Sequence, residues 1–264
     1  MYLLVADEAV HQQTDPTKFF VFGGILVHAD QVAAITSQIE SIRNNYGFLY
    51  SDPFKFSPND HPPQVSREEF IQAKAEVFRL AKATDVNFIG YAMLHAIGKN
   101  GSREQLIEWG ADALLVKFQQ FLNEKSDARG IALFDTLPVK HPHSYLRRAF
   151  QTRLQKTKTG HQLPNIDLIA TVTDGCSHLT SVCDILVGSF NFCVNNPDKD
   201  KAGKTFMRDI KSLAWSKREN GRIYPLDRGI LLRPSTVKVD SFKADYDELK
   251  RRLFEWMNTE KNEK

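Results

Sequence analysis

Two apolar runs near the start of the chain place the strongest limit on its fold. Residues 2–6 (YLLVA) and 19–27 (FFVFGGILV) have the length and composition of β-strands, and the polar segment HQQTDPTK lies between them. Such a pair predicts a β-hairpin. Further strands are predicted at residues 86–94, 131–134 and 166–172, with stretches of helical periodicity between them. Strands that alternate with helices after a hairpin predict an α/β fold with a mixed sheet flanked by helices.

The helical stretches begin with apolar residues at helical spacing from Val32 to Ile42. Ser66 with Glu69 forms a capping-box pattern, which predicts the start of a second helix. Between these two helices, residues 48–64 (FLYSDPFKFSPNDHPPQ) contain four prolines and no regular period. They predict a long connection, and long connections are often functional. Further helices are predicted at residues 102–124, 144–156 and 178–194.

Size, charge and cysteine content fit an ordinary globular protein. At 264 residues the chain forms one large domain or two small ones, and its net charge of +3 limits any nucleic-acid surface to a local patch. The longest apolar run is far shorter than the roughly 20 residues that a membrane span needs. We therefore expect a soluble, cytoplasmic protein that does not contact a membrane. Cys176, Cys183 and Cys193 lie in apolar stretches and are expected to be reduced thiols in the core.

Three aspartates interrupt apolar surroundings. Asp7 and Asp135 each directly follow a predicted strand, and Asp184 lies inside the apolar helix SVCDILVGSFNFCV. Each has an ordinary explanation, because an acid after a strand is often a cap or turn residue and Asp184 could meet a buried Arg or Lys. Both strand-end acids, however, are placed where open α/β sheets carry their sites, beyond the carboxyl ends of the strands.

Three carboxylates that converge at one edge of a sheet repel one another and need a cation. Mg²⁺ and Mn²⁺ prefer oxygen ligands and suit such a set. Carboxylate clusters that hold two such ions about 4 Å apart are the usual machinery for phosphodiester cleavage. The pattern therefore favours a divalent-metal site formed by the three aspartates.

The order of four segments carries a family resemblance. A strand that ends in Asp7-Glu8 is followed by a strand with Gly-Gly-Ile-Leu-Val, a strand that ends in Asp135, and a helix with Cys183-Asp184-x-x-x-Gly188. In this order they resemble the bacterial domain of unknown function 3800 family, a ribonuclease-H-like group of predicted nucleases, over about residues 1–190. The resemblance implies a ribonuclease-H-like domain at residues 1–194. Residues 195–264 are predicted to be a C-terminal helical extension packed on the same domain, with a charged loop at NNPDKDKAGK.

The resemblance also implies roles for individual residues. Asp7, Asp135 and Asp184 carry over as catalytic metal ligands for Mg²⁺ or Mn²⁺. Glu8 is a further ligand candidate, although successive strand side chains point to opposite faces. Lys55 matches a family lysine and would touch the scissile phosphate or be an ordinary loop residue.

Three motifs depart from the family pattern. The family opening Asp-Glu-Ser-Gly has Ala and Val in its last two positions here, and Ser181 stands where the late helix has Gln. Pro53 replaces a family Glu two residues before Lys55, so Asp52 or Glu8 would have to substitute for that ligand. Asp174 is a further possible ligand or a turn residue before a glycine.

A basic stretch follows Asp135. No acidic residue occurs from Thr136 to Ile166, whereas six basic residues do. A phosphate backbone needs positive charge to approach a cluster of acids, so these residues are predicted to bind nucleic acid. The alternative is a solvated helix face. The six residues are Lys140, Arg147, Arg148, Arg153, Lys156 and Lys158.

Together these features predict a hydrolase that cleaves RNA or DNA phosphodiester bonds with divalent metal. The first alternative is a catalytically silent member of the same fold that binds nucleic acid or a protein, a reading that Pro53 favours. The resemblance alone places such a protein in phage defence or on a mobile element. The second alternative is a phosphohydrolase that acts on nucleotides, which would need the acids but not the basic stretch.

Overall fold

A computed structural model describes residues 1–9, 17–57, 59, 61–100, 103–136, 142–152, 162–173, 175–219 and 222–258. The strands are β1 (Tyr2–Glu8), β2 (Phe19–His28), β3 (Asn87–Leu94), β4 (Gly130–Asp135), β5 (Ile166–Val172), β6 (Lys217–Glu219), β7 (Arg222–Tyr224) and β8 (Ile230–Arg233). The α-helices are α1 (Val32–Asn45), α2 (Arg67–Ala83), α3 (Arg103–Glu124), α4 (Pro142–Thr152), α5 (His178–Asn195), α6 (Asp200–Leu213) and α7 (Asp240–Asn258). None of the helices in these ranges is long and apolar enough to cross a membrane.

Six strands form one mixed sheet in the order β5-β4-β1-β2-β3-β8. β1, β2 and β3 pair antiparallel in succession, and the pairs β1–β4, β4–β5 and β3–β8 are parallel. β2 therefore runs against the other five strands, and the carboxyl ends of β1, β4 and β5 meet at one edge. The predicted α/β class, the mixed sheet and the opening hairpin are confirmed.

Helices cover both faces of the sheet and enclose two apolar cores. The core on one face contains side chains of α1, α2, α5, α6 and α7, and the core on the other face contains side chains of α3 and α4. Side chains of β1 alternate between them, since Val5 belongs to the first core and Leu4 and Ala6 belong to the second. At Gly23 on β2, a Cβ atom would lie 2.8 Å from Val187 of α5, so only glycine lets this strand and helix approach so closely.

The start of α2 follows the local pattern in the sequence. The Ser66 side chain accepts a hydrogen bond from the Glu69 backbone N–H, and the Glu69 carboxylate accepts one from the Ser66 N–H. The predicted capping box is confirmed. It fixes where α2 begins, and therefore where the preceding long connection ends.

Residues 195–264 contain more than the predicted helices. β8 pairs with β3 and adds a sixth strand to the main sheet. The prediction of a loop at NNPDKDKAGK is wrong in its second half, because α6 begins at Asp200. The reason is a long-range contact: Asp200 accepts a 2.8 Å hydrogen bond from the Trp256 indole, and the ring of Trp256 packs directly on Gly203.

Candidate active site

Asp7 and Asp135 stand at the carboxyl ends of neighbouring parallel strands. In the register of β1 and β4, Ala6 lies opposite Phe134, so each aspartate is the next residue on its strand. Ala6 and Phe134 both face the core under α3 and α4. Because successive side chains alternate, both aspartates face the other layer, which contains α5.

The buried thiol of Cys183 lies within electrostatic range of the three aspartates. Cys183 directly precedes Asp184 on α5, and its Sγ donates a hydrogen bond to the Val5 carbonyl at 3.2 Å. Burial raises the pKa of this thiol well above its ordinary value, and the negative charges of Asp7, Asp184 and Asp135 raise it further. Two strands and one helix therefore place the three carboxylates in the same region of the fold.

The fit of this edge to a divalent ion depends on how many protein ligands the ion needs. Across the part of the chain that the structure describes, no group of three His, Cys, Asp or Glu side chains is close enough to hold a metal ion. Mg²⁺ is usually bound by one or two carboxylates and takes its other ligands from water and substrate phosphates. The register of β1 and β4 brings Asp7 and Asp135 to neighbouring positions at this edge, and two carboxylates so placed would suit that smaller requirement.

Asp184 is tied to the long connection before α2. Its Oδ2 accepts a hydrogen bond of 2.6 Å from the backbone N–H of Phe56. One helical turn further along α5, Gly188 leaves the space in which the Phe56 side chain sits, because a Cβ atom there would overlap with it. Asp184 and Gly188, spaced by one helical turn, therefore hold Phe56 against α5. We call residues 48–57, which contain Phe56, the docked loop.

Lys74, a buried residue of α2, is not among the site residues predicted from the sequence. Its Nζ donates a hydrogen bond of 2.8 Å to the Phe56 carbonyl and lies 4.9 Å and 4.7 Å from the ring centroids of Phe56 and Phe70. Burial lowers the pKa of Lys74 to about 8, and the charge of Asp184 opposes this shift. Asp184 therefore lies within electrostatic range of a buried lysine, which agrees with its ordinary explanation. The signal in the sequence that could have identified Lys74 is its position on the apolar face of a predicted helix.

The first half of the docked loop is held by Arg43 of α1. The buried guanidinium donates to the carbonyls of Leu49 at 2.6 Å and Tyr50 at 3.2 Å. Asp52 Oδ2 accepts from the Leu49 N–H at 2.6 Å and from the Gln64 amide at 2.5 Å. Asp52, one of the two substitutes for the family Glu, therefore has a structural role within the loop.

A cleft of about 600 Å³ opens between the docked loop, α1 and the start of α5. Lys55 and Asp184 both line it, so the structure brings these two predicted residues to one cavity. His178 Nε2 lies 3.6 Å from Glu40 Oε1 on the same walls. Cys176 also lines the cleft and is exposed, which corrects the prediction of three core thiols; Cys183 and Cys193 are buried.

Glu8 is separated from the aspartates by the pleat of β1. It lies opposite Phe22 of β2, a residue of the core under α3 and α4. Its side chain is therefore on the opposite face from Asp7, because neighbouring residues of a strand alternate.

The basic stretch is described in part, as α4. Arg147 and Arg148 are both exposed, and Arg147 lines a groove of about 410 Å³ between α4 and β5. Arg148 forms a 2.8 Å ion pair with Glu108 of α3, so its charge is shared with a protein carboxylate. Lys140, Arg153, Lys156 and Lys158 lie outside the described residues, as does Asp174.

Comparisons with known proteins leave the function to be inferred from these residues. No protein-family model matches the chain. A search of the curated proteins found no significant match either.

Proposed function

We propose that this protein hydrolyses nucleic-acid phosphodiester bonds with Mg²⁺ or Mn²⁺ at a ribonuclease-H-like carboxylate site. The observation that carries the proposal is the register of β1 and β4, which brings Asp7 and Asp135 to one edge of the sheet, with Asp184 on the helix that packs on that face. This arrangement supports a site at the carboxyl-terminal edge of parallel strands, where open α/β sheets bind their ligands.

The sheet supports the ribonuclease-H-like part of the proposal. An antiparallel meander of β1 to β3 is extended on the other side of β1 by the parallel strands β4 and β5. The first acid then lies near the end of the central strand, the second is the last residue of its parallel neighbour, and the third comes from the helix packed on that face. Membership of the domain of unknown function 3800 family is proposed on the same grounds.

Each residue has a distinct part in this proposal. Asp7 and Asp135 would hold the ion, which when bound supplies a Lewis acid and a water of lowered pKa. Asp184 would contribute its charge from α5 while its Oδ2 holds Phe56. Lys55 would contact the substrate phosphate from the cleft, and Arg147 would contact the phosphate backbone of the nucleic acid from α4.

The test is cleavage of labelled RNA and DNA, single-stranded and duplex, with Mn²⁺, with Mg²⁺ and with EDTA. We expect metal-dependent cleavage by the wild type, none by Asp7→Asn or Asp135→Asn, and full activity in the control Asp30→Asn, an exposed acid after β2. Thermal unfolding first shows that each variant is folded under the assay conditions. Metal-dependent cleavage that survives Asp7→Asn or Asp184→Asn would overturn the assignment.

A catalytically silent protein that binds nucleic acid or a protein partner is the second candidate. The observation that favours it is the structural use of Asp184, which holds the Phe56 N–H and faces Lys74 without any need for a metal ion. Calorimetry with Mn²⁺ separates the two candidates. No heat of binding at millimolar Mn²⁺ leaves only the silent protein.

A further inference from the structure

We propose that the cleft beside Asp184 receives an unpaired nucleotide of a single strand, with its base stacked on Tyr50. This inference rests on the proposed function and adds the substrate class to it. Three features of the cleft carry it: a fixed aromatic residue at the rim, walls of mixed hydrogen-bonding groups, and the position of Asp184.

Tyr50 is presented to solvent on a fixed backbone. Its relative exposure is 101%, and that of its neighbour Leu49 is 61%. Arg43 binds the carbonyls of both residues, and Asp52 binds the Leu49 N–H. The chain therefore orders this backbone but leaves the Tyr50 ring uncovered. Exposed aromatic side chains serve as stacking platforms for bases in proteins that bind single strands. A fixed backbone reduces the entropy lost on binding.

The cleft has the size and chemistry for one nucleotide. Its volume of about 600 Å³ lies within the range of small-molecule sites. The hydroxyl residues Thr36 and Ser181, together with His178 and Glu40, line its walls and offer both donors and acceptors to a base edge. The first turn of α5, capped by Ser177, also lines the cleft, and its dipole favours a phosphate there.

The position of the cleft connects it to the proposed chemistry. Asp184 and Lys55 belong to its lining, so a nucleotide in the cleft can place its phosphate beside Asp184, one of the acids that the proposed function uses. A base that is paired and stacked inside a duplex cannot enter a cavity of this size. Recognition of splayed-out bases is typical of single strands, loops and ends.

The test measures binding in EDTA, so that no substrate is cleaved. Fluorescence anisotropy is recorded with labelled single strands of about 12 nucleotides and with the matching duplexes. Tyr50→Ala removes the stacking ring, and Thr36→Trp fills the cleft from α1. The matched controls are Tyr224→Ala, an exposed tyrosine on β7, and Ser37→Trp, the exposed residue next to Thr36. Thermal unfolding shows that each variant is folded.

We expect the wild type to bind single strands more tightly than duplexes. Tyr50→Ala should weaken single-strand binding by roughly 5- to 150-fold, as the loss of one base–aromatic stack does. Thr36→Trp should also weaken it, and the two controls should bind as the wild type does. Single-strand affinity that is unchanged in Tyr50→Ala and in Thr36→Trp overturns the inference, as does equal or tighter binding of duplex by the wild type.

A second substrate separates this inference from the proposed function. Bis(p-nitrophenyl) phosphate is a phosphodiester without a base, so its hydrolysis requires the acids but not Tyr50. If Asp7→Asn abolishes this hydrolysis while Tyr50→Ala binds single strands normally, the inference fails and the proposed function stands. If the wild type does not hydrolyse any diester, the proposed function fails, and the anisotropy measurements still decide the inference.

Discussion

Asp184 and Phe56 are joined by a 2.6 Å hydrogen bond across 128 positions of the chain. The Phe56 N–H donates to the Asp184 carboxylate, and the Phe56 carbonyl accepts from Lys74. One residue of the docked loop is therefore held at both its polar backbone groups by opposite charges. This arrangement gives Asp184 a structural role that can be separated experimentally from any catalytic one.

Two substitutions of Asp184 distinguish these roles. Asp184→Ala leaves the Phe56 N–H without its acceptor, and we expect it to lower the free energy of unfolding by about 1–3 kcal/mol. Asp184→Asn keeps an acceptor oxygen, so it should lower the free energy of unfolding by less. Urea denaturation gives both values. If Asp184 also takes part in the chemistry, both variants lose cleavage; an Asp184→Asn enzyme that still cleaves would overturn the proposed function and leave Asp184 only its structural role.

Gly188→Ala should detach the docked loop. The new Cβ atom would overlap with Phe56, which costs about 1–3 kcal/mol and outweighs the gain of about 1 kcal/mol in helix propensity. Limited trypsin digestion at Lys55 should become faster. In a Phe56→Ala background, Gly188→Ala should be neutral or stabilising. Equal effects of Gly188→Ala in the two backgrounds would contradict the contact.

Two adjacent arginines of α4 should differ in their effect on nucleic-acid binding. Arg147→Gln removes an exposed charge and should weaken binding of all sequences, with the salt slope reduced by about 1. Arg148 is paired with Glu108, so Arg148→Gln should affect binding less. Titrations at several salt concentrations measure both, and Arg79→Gln on α2 is the control. A larger effect from Arg148 would show that its ion pair opens on binding.

The pH dependence of stability should report on Asp112, which accepts a 2.7 Å hydrogen bond from Tyr145 of α4. Burial raises the pKa of this carboxyl above its ordinary 3.8, and the Tyr145 hydrogen bond opposes the shift. The native state therefore binds the proton more tightly than the unfolded state. The contribution of the protonated Asp112 carboxyl to stability is complete below pH 3.8 and is lost as pH rises through the raised pKa.

The contribution of the Asp112 carboxyl to stability is isolated by comparing the wild type with Asp112→Asn. The difference in their free energies of unfolding should fall as pH rises from 3.8 and become constant above the raised pKa. Glu68→Gln, at an exposed acid of α2, supplies the reference. A difference that grows with pH would mean that Asp112 is stabilised as the anion.

Thiol labelling should separate the three cysteines. Cys176 is exposed at the cleft, whereas Cys183 and Cys193 are buried, so one thiol per chain should react rapidly with Ellman's reagent. The other two should react only after unfolding, and Cys176→Ser should remove the rapid phase. Rapid reaction of two or three thiols in the native state would contradict the packing around α5.

Patterns that depend on neighbouring residues predicted the fold correctly. The opening hairpin and the capping box at Ser66 follow from short-range spacing, whereas two strands extend further than predicted, so that Asp7 lies within β1 and Asp135 is the last residue of β4. The errors concern residues whose environment comes from distant segments. Lys74 is explained only by the docked loop, and α6 begins at Asp200 because Trp256, far along the chain, binds there.

The burial of Cys183 has a consequence for its own chemistry. Copper, zinc and other thiophilic ions capture cysteine as the thiolate. Burial and the nearby negative charges favour the protonated form of this sulfur, so Cys183 itself is a poor ligand for such ions.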